Sequence, residues 1–350
     1  MSEDTPPTDD TQTHRETEHT RPKWAVTDES LIEALEGEIH PLGTTDPNAD
    51  GDDLAPIGAA LDRARVIALG EATHGSREFF RLKHRLIRRL VTERGVRLLA
   101  LEANFTETLA IDEYVTFGRG DPREALEGIY FWTWNTEEVL ALLEWLRGFN
   151  EGRPLSDRVR FYGLDVQYTA GPAERLETFC EAHEPELLGT HREAFGVLTD
   201  EQLGDERTNT GLTAEDAAQY AAVEELLDAI GAAIEEHAPE DERERRLLRR
   251  HHWSLEQTVG YHRDRRTEGP ETAIDRRDRA MAATVAWLLE YESRDRIVVW
   301  AHDGHVQRSV RDRRWGTAPS MGTRLAERFG DEYYALGFDF AAGTFRAVDL

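Results

Sequence analysis

The segment Gly-Glu-Ala-Thr-His-Gly, residues 70–75, places an acid and a base where a buried strand is predicted to end. It directly follows the apolar run Val66–Leu69 and contains Glu71 and His74. Histidine changes protonation near neutral pH, so it can accept a proton from water, and a neighbouring carboxylate fixes its tautomer and raises its basicity. The segment therefore predicts acid–base chemistry at this strand end, with the glycines allowing close approach.

Ionisable residues also end the other predicted strands. Glu102 follows the second strand, Asp165 the third, and His302 and His305 follow the fourth. In an open parallel α/β sheet, ligands bind beyond the carboxyl ends of the strands. Two strand ends that carry histidine, with carboxylates between them, favour a shared pocket over chance placement. A single histidine at a strand end would more often be a hydrogen-bonded structural residue.

Lys83 lies in the middle of the apolar face of a helix predicted over 77–92. A lysine there either extends its ammonium to solvent or pairs with a buried carboxylate. Of the 42 lysine and arginine residues, Lys23 and Lys83 are the lysines and the other 40 are arginines. We therefore expect the ammonium of Lys83 to form a salt bridge with Glu71 or Glu102.

Short apolar runs alternate with amphipathic helical segments along most of the chain. The predicted strands are Val66–Leu69, Val96–Leu101, Arg160–Leu164, Arg296–Trp300 and Tyr333–Phe338. Apolar strands separated by helices are typical of a parallel sheet that is buried on both faces. The predicted fold class is α/β, with a mainly parallel central sheet flanked by helices.

The chain is expected to have four segments. Residues 1–22 are polar, lack apolar periodicity and are predicted to form a disordered acidic tail. Residues 23–171 and 267–350 are predicted to form the first and second parts of the α/β core. Residues 172–266 contain no strand-like run, so they are predicted to form a helical insertion that covers the carboxyl ends of the strands.

The 350-residue chain carries a formal net charge of −27 at pH 7. This charge argues against binding to nucleic acid or anionic lipid, because their phosphates would be repelled. Diffuse acidity with almost no lysine is typical of a salt-adapted (halophilic) cytoplasm. No apolar run is long enough to span a bilayer and no secretory signal is visible, so a cytoplasmic protein is expected.

Other residues are weaker candidates for chemistry. Cys180 is the single cysteine and lies in the predicted insertion, and the sequence has no Gly-x-Ser-x-Gly motif for a serine nucleophile. The tryptophan-rich stretch 131–138 favours core packing with an N-cap at Thr136 over a substrate shelf. His251 and His252 are expected to face solvent.

Seven motifs together resemble the erythromycin esterase family over about residues 28 to 345. In chain order they are ALGEATHGSREFF, LALEANF, FWTWNTEEVLALLEWLRGFN, FYGLDVQ, RDRAMA, VVWAHDGHVQ and MGTRLAERFG. The resemblance implies an α/β fold with a helical cover, and hydrolysis of an ester such as a macrolactone by an activated water. It also implies a relation to a wider group with a Gly-x-x-His signature, some of whose members are thought to bind metal or haem.

The resemblance also implies roles for individual residues. His74 would be the general base, and Glu71 and Glu102 would orient it or hold the water. His302 and His305 would polarise the carbonyl or protonate the leaving alcohol. Lys83 would complete the catalytic group, and three residues of the matched motifs are expected to contact the substrate: Asp165, Trp134 and Arg277.

Three features depart from the family pattern. Lys83 stands where the family has an arginine, nine residues after the base, which keeps the charge and loses the bidentate fork. Asp303 stands where asparagine is often found. Members usually continue for a further strand and helix, whereas this chain stops at Leu350, so C-terminal truncation of the core stays open as an alternative.

The first functional hypothesis is a carboxylic ester hydrolase of the esterase or lactonase type, acting on a small-molecule ester or lactone and requiring no cofactor. The second is a metal- or haem-binding protein of the same fold, in which His74, His302, His305 and a carboxylate supply ligands. The third is an inactive remnant of the family. Nucleic acid and membrane are not expected as partners, and the natural substrate and oligomeric state stay open.

Overall fold

The structure is a computed structural model that describes residues 33–36, 38–200, 203, 211–308 and 318–347. The elements below belong to residues 42–350, which form one compact unit. The predicted tail, residues 1–22, lies outside the described residues.

A parallel five-stranded sheet forms the centre of this unit. Its strands are β1 (Val66–Leu69), β2 (Leu98–Asn104), β3 (Arg160–Asp165), β4 (Ile297–Trp300) and β5 (Tyr333–Leu336). They lie in the order β3-β2-β4-β1-β5, and each neighbouring pair is parallel. The prediction of an α/β fold with a mainly parallel sheet is confirmed.

Helices surround the sheet and follow its strands along the chain. They are α1 (Ala55–Ala60), α2 (Arg77–Glu93), α3 (Leu109–Phe117), α4 (Pro122–Glu127), α5 (Glu137–Asn150), α6 (Ala170–His183), α7 (Pro185–Thr190), α8 (Arg192–Thr199), α9 (Ala214–Glu236), α10 (Glu242–Thr267), α11 (Pro270–Tyr291), α12 (Asp303–Val306) and α13 (Met321–Phe329). Thr136 caps α5 as predicted, accepting a hydrogen bond from the backbone N–H of Val139 at 3.2 Å.

Both faces of the sheet are buried, which explains why its strands are almost wholly apolar. Successive side chains of a strand point to opposite faces. In β1, Ile67 and Leu69 pack with α2, α3 and α5, whereas Val66 and Ala68 pack with α11 and α13. The same alternation in β2 and β4 produces two hydrophobic cores, one on each side of the sheet.

Helices α6 to α10 have a third hydrophobic core of their own, and the described residues between them form no strand. This region reaches the carboxyl end of β3, where Nε2 of His262 bonds the carbonyl oxygen of Gln167 at 2.8 Å. The boundaries at residues 171 and 267, between the core and the insertion, stay a prediction. Within the described residues, every helix is too short or too polar to cross a lipid bilayer.

Strand β2 differs from its predicted bounds in a way that affects the site. The strand continues to Asn104, and its pairing with β3 shifts register between Leu101 and Asn104. Glu102 therefore lies inside this irregularity rather than after the strand. Such irregularities re-aim side chains near functional sites, and here the carboxylate of Glu102 lies beside the end of β4.

Candidate active site

The order of the strands brings three chain segments together at one edge of the sheet. Strand β4 lies between β1 and β2, and Trp300 at its end pairs with Leu69 on one side and with Leu101 on the other. Just beyond, the backbone N–H of Asp303 donates to the carbonyl oxygen of Glu71 at 2.8 Å. The loops that follow β1 and β4 are therefore joined directly by their backbones.

The carboxylate of Glu71 is the centre of the first side-chain network. Its Oε2 accepts hydrogen bonds from Nζ of Lys83 at 2.6 Å and from the indole N–H of Trp300 at 3.1 Å. Its Oε1 lies 2.8 Å from Nδ1 of His74. Burial lowers the pKa of Lys83, and Glu71 opposes that shift by stabilising the ammonium. The prediction that Lys83 pairs with Glu71 or Glu102 is confirmed, with Glu71 as the partner.

His74 is held in one tautomer by this carboxylate. Glu71 accepts a hydrogen bond, so the proton of neutral His74 lies on Nδ1, and Nε2 is left as an acceptor. The side chain is 30% exposed and lines a cavity of about 380 Å³. Its ring contacts Trp134 and His302, with ring centroids 5.4 Å and 5.3 Å away.

The carboxylate of Glu102 is the centre of a second network. Oε1 lies 2.7 Å from Nη2 of Arg277 and 3.1 Å from Nε2 of His305, and Oε2 accepts the backbone N–H of His302 at 2.7 Å. Burial alone would raise the pKa of Glu102, but the positive charges of His305 and Arg277 hold it well below its usual range. Glu102 is therefore a fixed anion and is not a proton donor.

His305 lies between two carboxylates. Its Nδ1 bonds Asp278, and its Nε2 faces Glu102. Burial lowers the pKa of His305, but the two carboxylates outweigh it and raise the pKa to about 9. The side chain is therefore an imidazolium at neutral pH. Nη1 of Arg277 lies 3.1 Å from Nε2 of His305, a contact between like charges that is tolerated because Asp165 binds Arg277 through Nε and Nη2 at 2.7 and 2.6 Å.

His302 is a neutral histidine with both ring nitrogens bonded to the backbone. Its Nδ1 accepts the N–H of Gly304 at 2.9 Å, which caps α12, and its Nε2 donates to the carbonyl oxygen of Ala72 at 3.1 Å. Burial and the nearby His74 lower the pKa of His302. In this conformation the ring braces the loop that carries His74, and neither nitrogen faces the cavity as a proton donor.

Comparison with known proteins identifies the family of the chain. The sequence description of the erythromycin esterase family matches residues 91–349. The chain belongs to the erythromycin esterase family. Membership of this family supports a hydrolase-like function.

Individual relatives cover most of the chain. An erythromycin esterase type II of Escherichia coli is 26% identical over 334 residues, which are 88% of this chain and 76% of the relative. The YbfO protein of Bacillus subtilis (strain 168) is 25% identical over 333 residues, 89% of this chain and 72% of the relative.

Solved structures show the same fold. A protein from Bacillus cereus matches with a TM-score of 0.71 and 27% identity, covering 88% of this chain and 74% of that one. An erythromycin esterase mutant in an open conformation matches with a TM-score of 0.64 and 21% identity, covering 84% of this chain and 74% of that one. At that identity the second match supports the fold alone.

Trp134 lies behind the loop that carries His74 rather than on the cavity surface. It is 1% exposed, stacks on Phe80, and packs edge-on against Trp300. Its indole N–H donates to the carbonyl oxygen of Glu102 at 2.9 Å. The expected contact between Trp134 and substrate is therefore replaced by core packing beneath the ring of His74.

Arg277 and Asp165 likewise form a buried ion pair, which positions Glu102 and does not face the cavity. The residues that sequence reasoning missed are Asp278 and Trp300, the direct partners of His305 and Glu71. Asp278 directly follows Arg277 in the RDRAMA motif, so the motif could have identified it as a site residue. Trp300 ends an apolar strand and gave no signal other than that of a core residue.

Two other predictions concern residues outside this site. The expectation that His251 faces solvent is wrong: the ring is buried, bonds Oγ1 of Thr106 through Nδ1 at 2.9 Å, and has its pKa lowered by burial to about 3. Cys180 is also buried, and burial raises the pKa of its thiol to about 11, which opposes any nucleophilic role.

The donor set at the strand ends does not fit a metal ion or haem. The ring nitrogens of His302 and His305 are bonded to backbone groups and carboxylates, and two cations, Lys83 and Arg277, occupy the carboxylates that would be ligands. Among the residues that the structure describes, the grouping with metal-ligand spacing lies elsewhere, in the helical region, at Glu184, Glu236 and His237.

Proposed function

We propose that this protein is a carboxylic ester hydrolase that cleaves a small-molecule ester or lactone with a water activated by His74. The observation that carries the proposal is the position of Glu71 between Lys83 and His74. A carboxylate that accepts the Nδ1 proton makes Nε2 the basic nitrogen, and it stabilises the imidazolium that forms when Nε2 takes a proton.

The reaction then has two steps. Nε2 of His74 takes a proton from water as the water oxygen bonds to the carbonyl carbon, giving a tetrahedral intermediate with negative charge on the former carbonyl oxygen. The bond between carbon and the ester oxygen then breaks, and the alcohol leaves with the proton from His74. The products are an acid and an alcohol, or a hydroxy acid from a lactone. Water is the nucleophile, which fits a loop with no Gly-x-Ser-x-Gly motif.

The neighbouring charges are suited to this cycle. The ammonium of Lys83 stabilises the anionic form of Glu71, so that the carboxylate is available to His74 throughout. The second network keeps Glu102, Arg277 and His305 in fixed charge states, and through the backbone of His302 it braces the loop after β4. Preorganised charges of this kind stabilise a developing charge without reorganisation during the reaction.

A hydrolysis screen with esters and lactones tests the proposal. It should be run at high salt, with and without a chelator, on the wild-type protein and on His74→Gln. Turnover that depends on His74 and is unchanged by the chelator would support a metal-independent hydrolase. Turnover lost to the chelator would support the metal-binding alternative, and no turnover with any substrate would support the inactive remnant.

A further inference from the structure

The segment that follows β5 lies against the catalytic loop. The backbone N–H of Arg346 donates to the carbonyl oxygen of Gly75 at 3.1 Å. A Cβ atom on residue 75 would lie 1.8 Å from the carbonyl oxygen of Arg346, so the approach requires glycine there. Because Gly75 follows His74 directly, this pairing fixes Arg346 next to the general base, and both residues line the same cavity of about 380 Å³.

Three arginines line this cavity, and two of them are neutralised by acidic neighbours. Nε of Arg77 lies 2.9 Å from Oε1 of Glu138. Arg123 binds Glu137 through both Nη atoms, at 2.7 and 3.0 Å. In the part of the chain that the structure describes, no carboxylate forms an ion pair with Arg346. Among the described residues, the lining of the cavity therefore has one more arginine than it has carboxylates, in a chain whose net charge is −27.

The guanidinium of Arg346 is positioned to bind an anion. It lies over the ring of Trp132, 5.1 Å from the ring centroid. A guanidinium held by an aromatic ring still has N–H groups available for hydrogen bonds to an anion. A carboxylate that approaches edge-on can accept two of those N–H groups at once.

We propose that Arg346 binds an anionic group of the substrate, and that the substrate is therefore an ester or lactone whose acid part carries a second carboxylate. This inference rests on the proposed function, because it takes the ester carbonyl to be held at His74. The cavity volume falls within the usual range for small-molecule sites, so it accommodates an acyl chain between the two positions.

A matched pair of esters tests the inference. The mono-4-nitrophenyl ester of adipic acid and 4-nitrophenyl hexanoate have acyl chains of equal length and differ in the terminal carboxylate. The quantity to measure is the ratio of kcat/KM for the two esters, in wild type, Arg346→Gln and Arg346→Lys, at one fixed salt concentration. Wild type should prefer the adipate ester, and Arg346→Gln should lower the ratio by about 10- to 100-fold, the size expected for lost hydrogen bonds to a charged group. Arg346→Lys should fall between them.

Arg88→Gln is the matched control, because the guanidinium of Arg88 also lies over a tryptophan ring, 5.2 Å from the centroid of Trp145, and Arg88 does not line the cavity. This variant should keep the wild-type ratio. A wild-type protein without a preference for the adipate ester, or a ratio unchanged by Arg346→Gln, would overturn the inference.

A binding measurement distinguishes failure of this inference from failure of the proposed function. Calorimetric titration with adipate itself requires no turnover. If the screen of esters and lactones finds no turnover, the proposed function fails, yet adipate binding that weakens at least about tenfold in Arg346→Gln would still support the subsite. Absent binding, or equal binding by the two proteins, would overturn it.

Discussion

Nζ of Lys83 lies 2.6 Å from Oε2 of Glu71, and neither side chain is exposed to solvent. The same carboxylate binds His74 through its other oxygen. The position of His74 is therefore set by a buried ion pair, with Trp300 as a further donor to the carboxylate. The arrangement links the stability of the fold to the proposed chemistry, and both can be measured on the same variants.

Lys83→Met should destabilise the protein by about 3–5 kcal/mol, because it leaves the Glu71 carboxylate buried without its counter-ion. Lys83→Arg keeps the charge and should cost clearly less. Urea denaturation measures both, and kcat/KM should fall with Lys83→Met as well. The double variant Glu71→Gln with Lys83→Met should be less destabilised than the sum of the two single changes. Strict additivity would show that the two residues do not stabilise each other.

Protonation of His305 should stabilise the fold below neutral pH. Its pKa is about 9 in the folded protein against 6.5 for an ordinary histidine, so the folded state holds the proton more tightly. The stabilisation is complete below about pH 6.5 and is lost as the pH rises through about 9, with a size on the order of 3 kcal/mol. The test is the free energy of unfolding of wild type relative to His305→Gln across this range. Parallel curves for the two proteins would contradict the assignment of His305 as a buried cation.

Thermal stability should rise with salt. The net charge of −27 causes self-repulsion, which acts over about 10 Å at 0.1 M salt and about 3 Å at 1 M. The Tm should therefore increase between about 0.1 M and 2 M potassium chloride. A flat or falling Tm would mean that the acidic composition is not an adaptation to salt.

The sequence predicted the sheet, and a buried ion pair of Lys83 with Glu71 or Glu102, for simple reasons. Buried parallel strands are short apolar runs, and a lysine in the middle of an apolar helix face needs a buried partner. Glu71 and His74 also share one short loop, so their contact follows from local spacing.

Other features of the site could not be predicted in this way. His302 is bonded to backbone groups of Ala72 and Gly304, which carry no side-chain signature in the sequence. Trp134 packs under His74 because of how two distant segments meet. Arg346 reaches Gly75 from a distant part of the sequence, through a backbone hydrogen bond that leaves no side-chain signature at position 346. Long-range contacts of these kinds depend on the assembled fold.

The central claim is that His74 is the general base, and kcat/KM for His74→Gln tests it most directly. The measurement uses the best ester or lactone from the screen, at high salt, with circular dichroism to confirm that the variant is folded. His237→Gln, a change in the helical region, is the control and should match wild type. We predict that His74→Gln lowers kcat/KM by about 10²–10⁴, the usual contribution of general-base catalysis. A folded His74→Gln protein with near-wild-type kcat/KM would contradict the account.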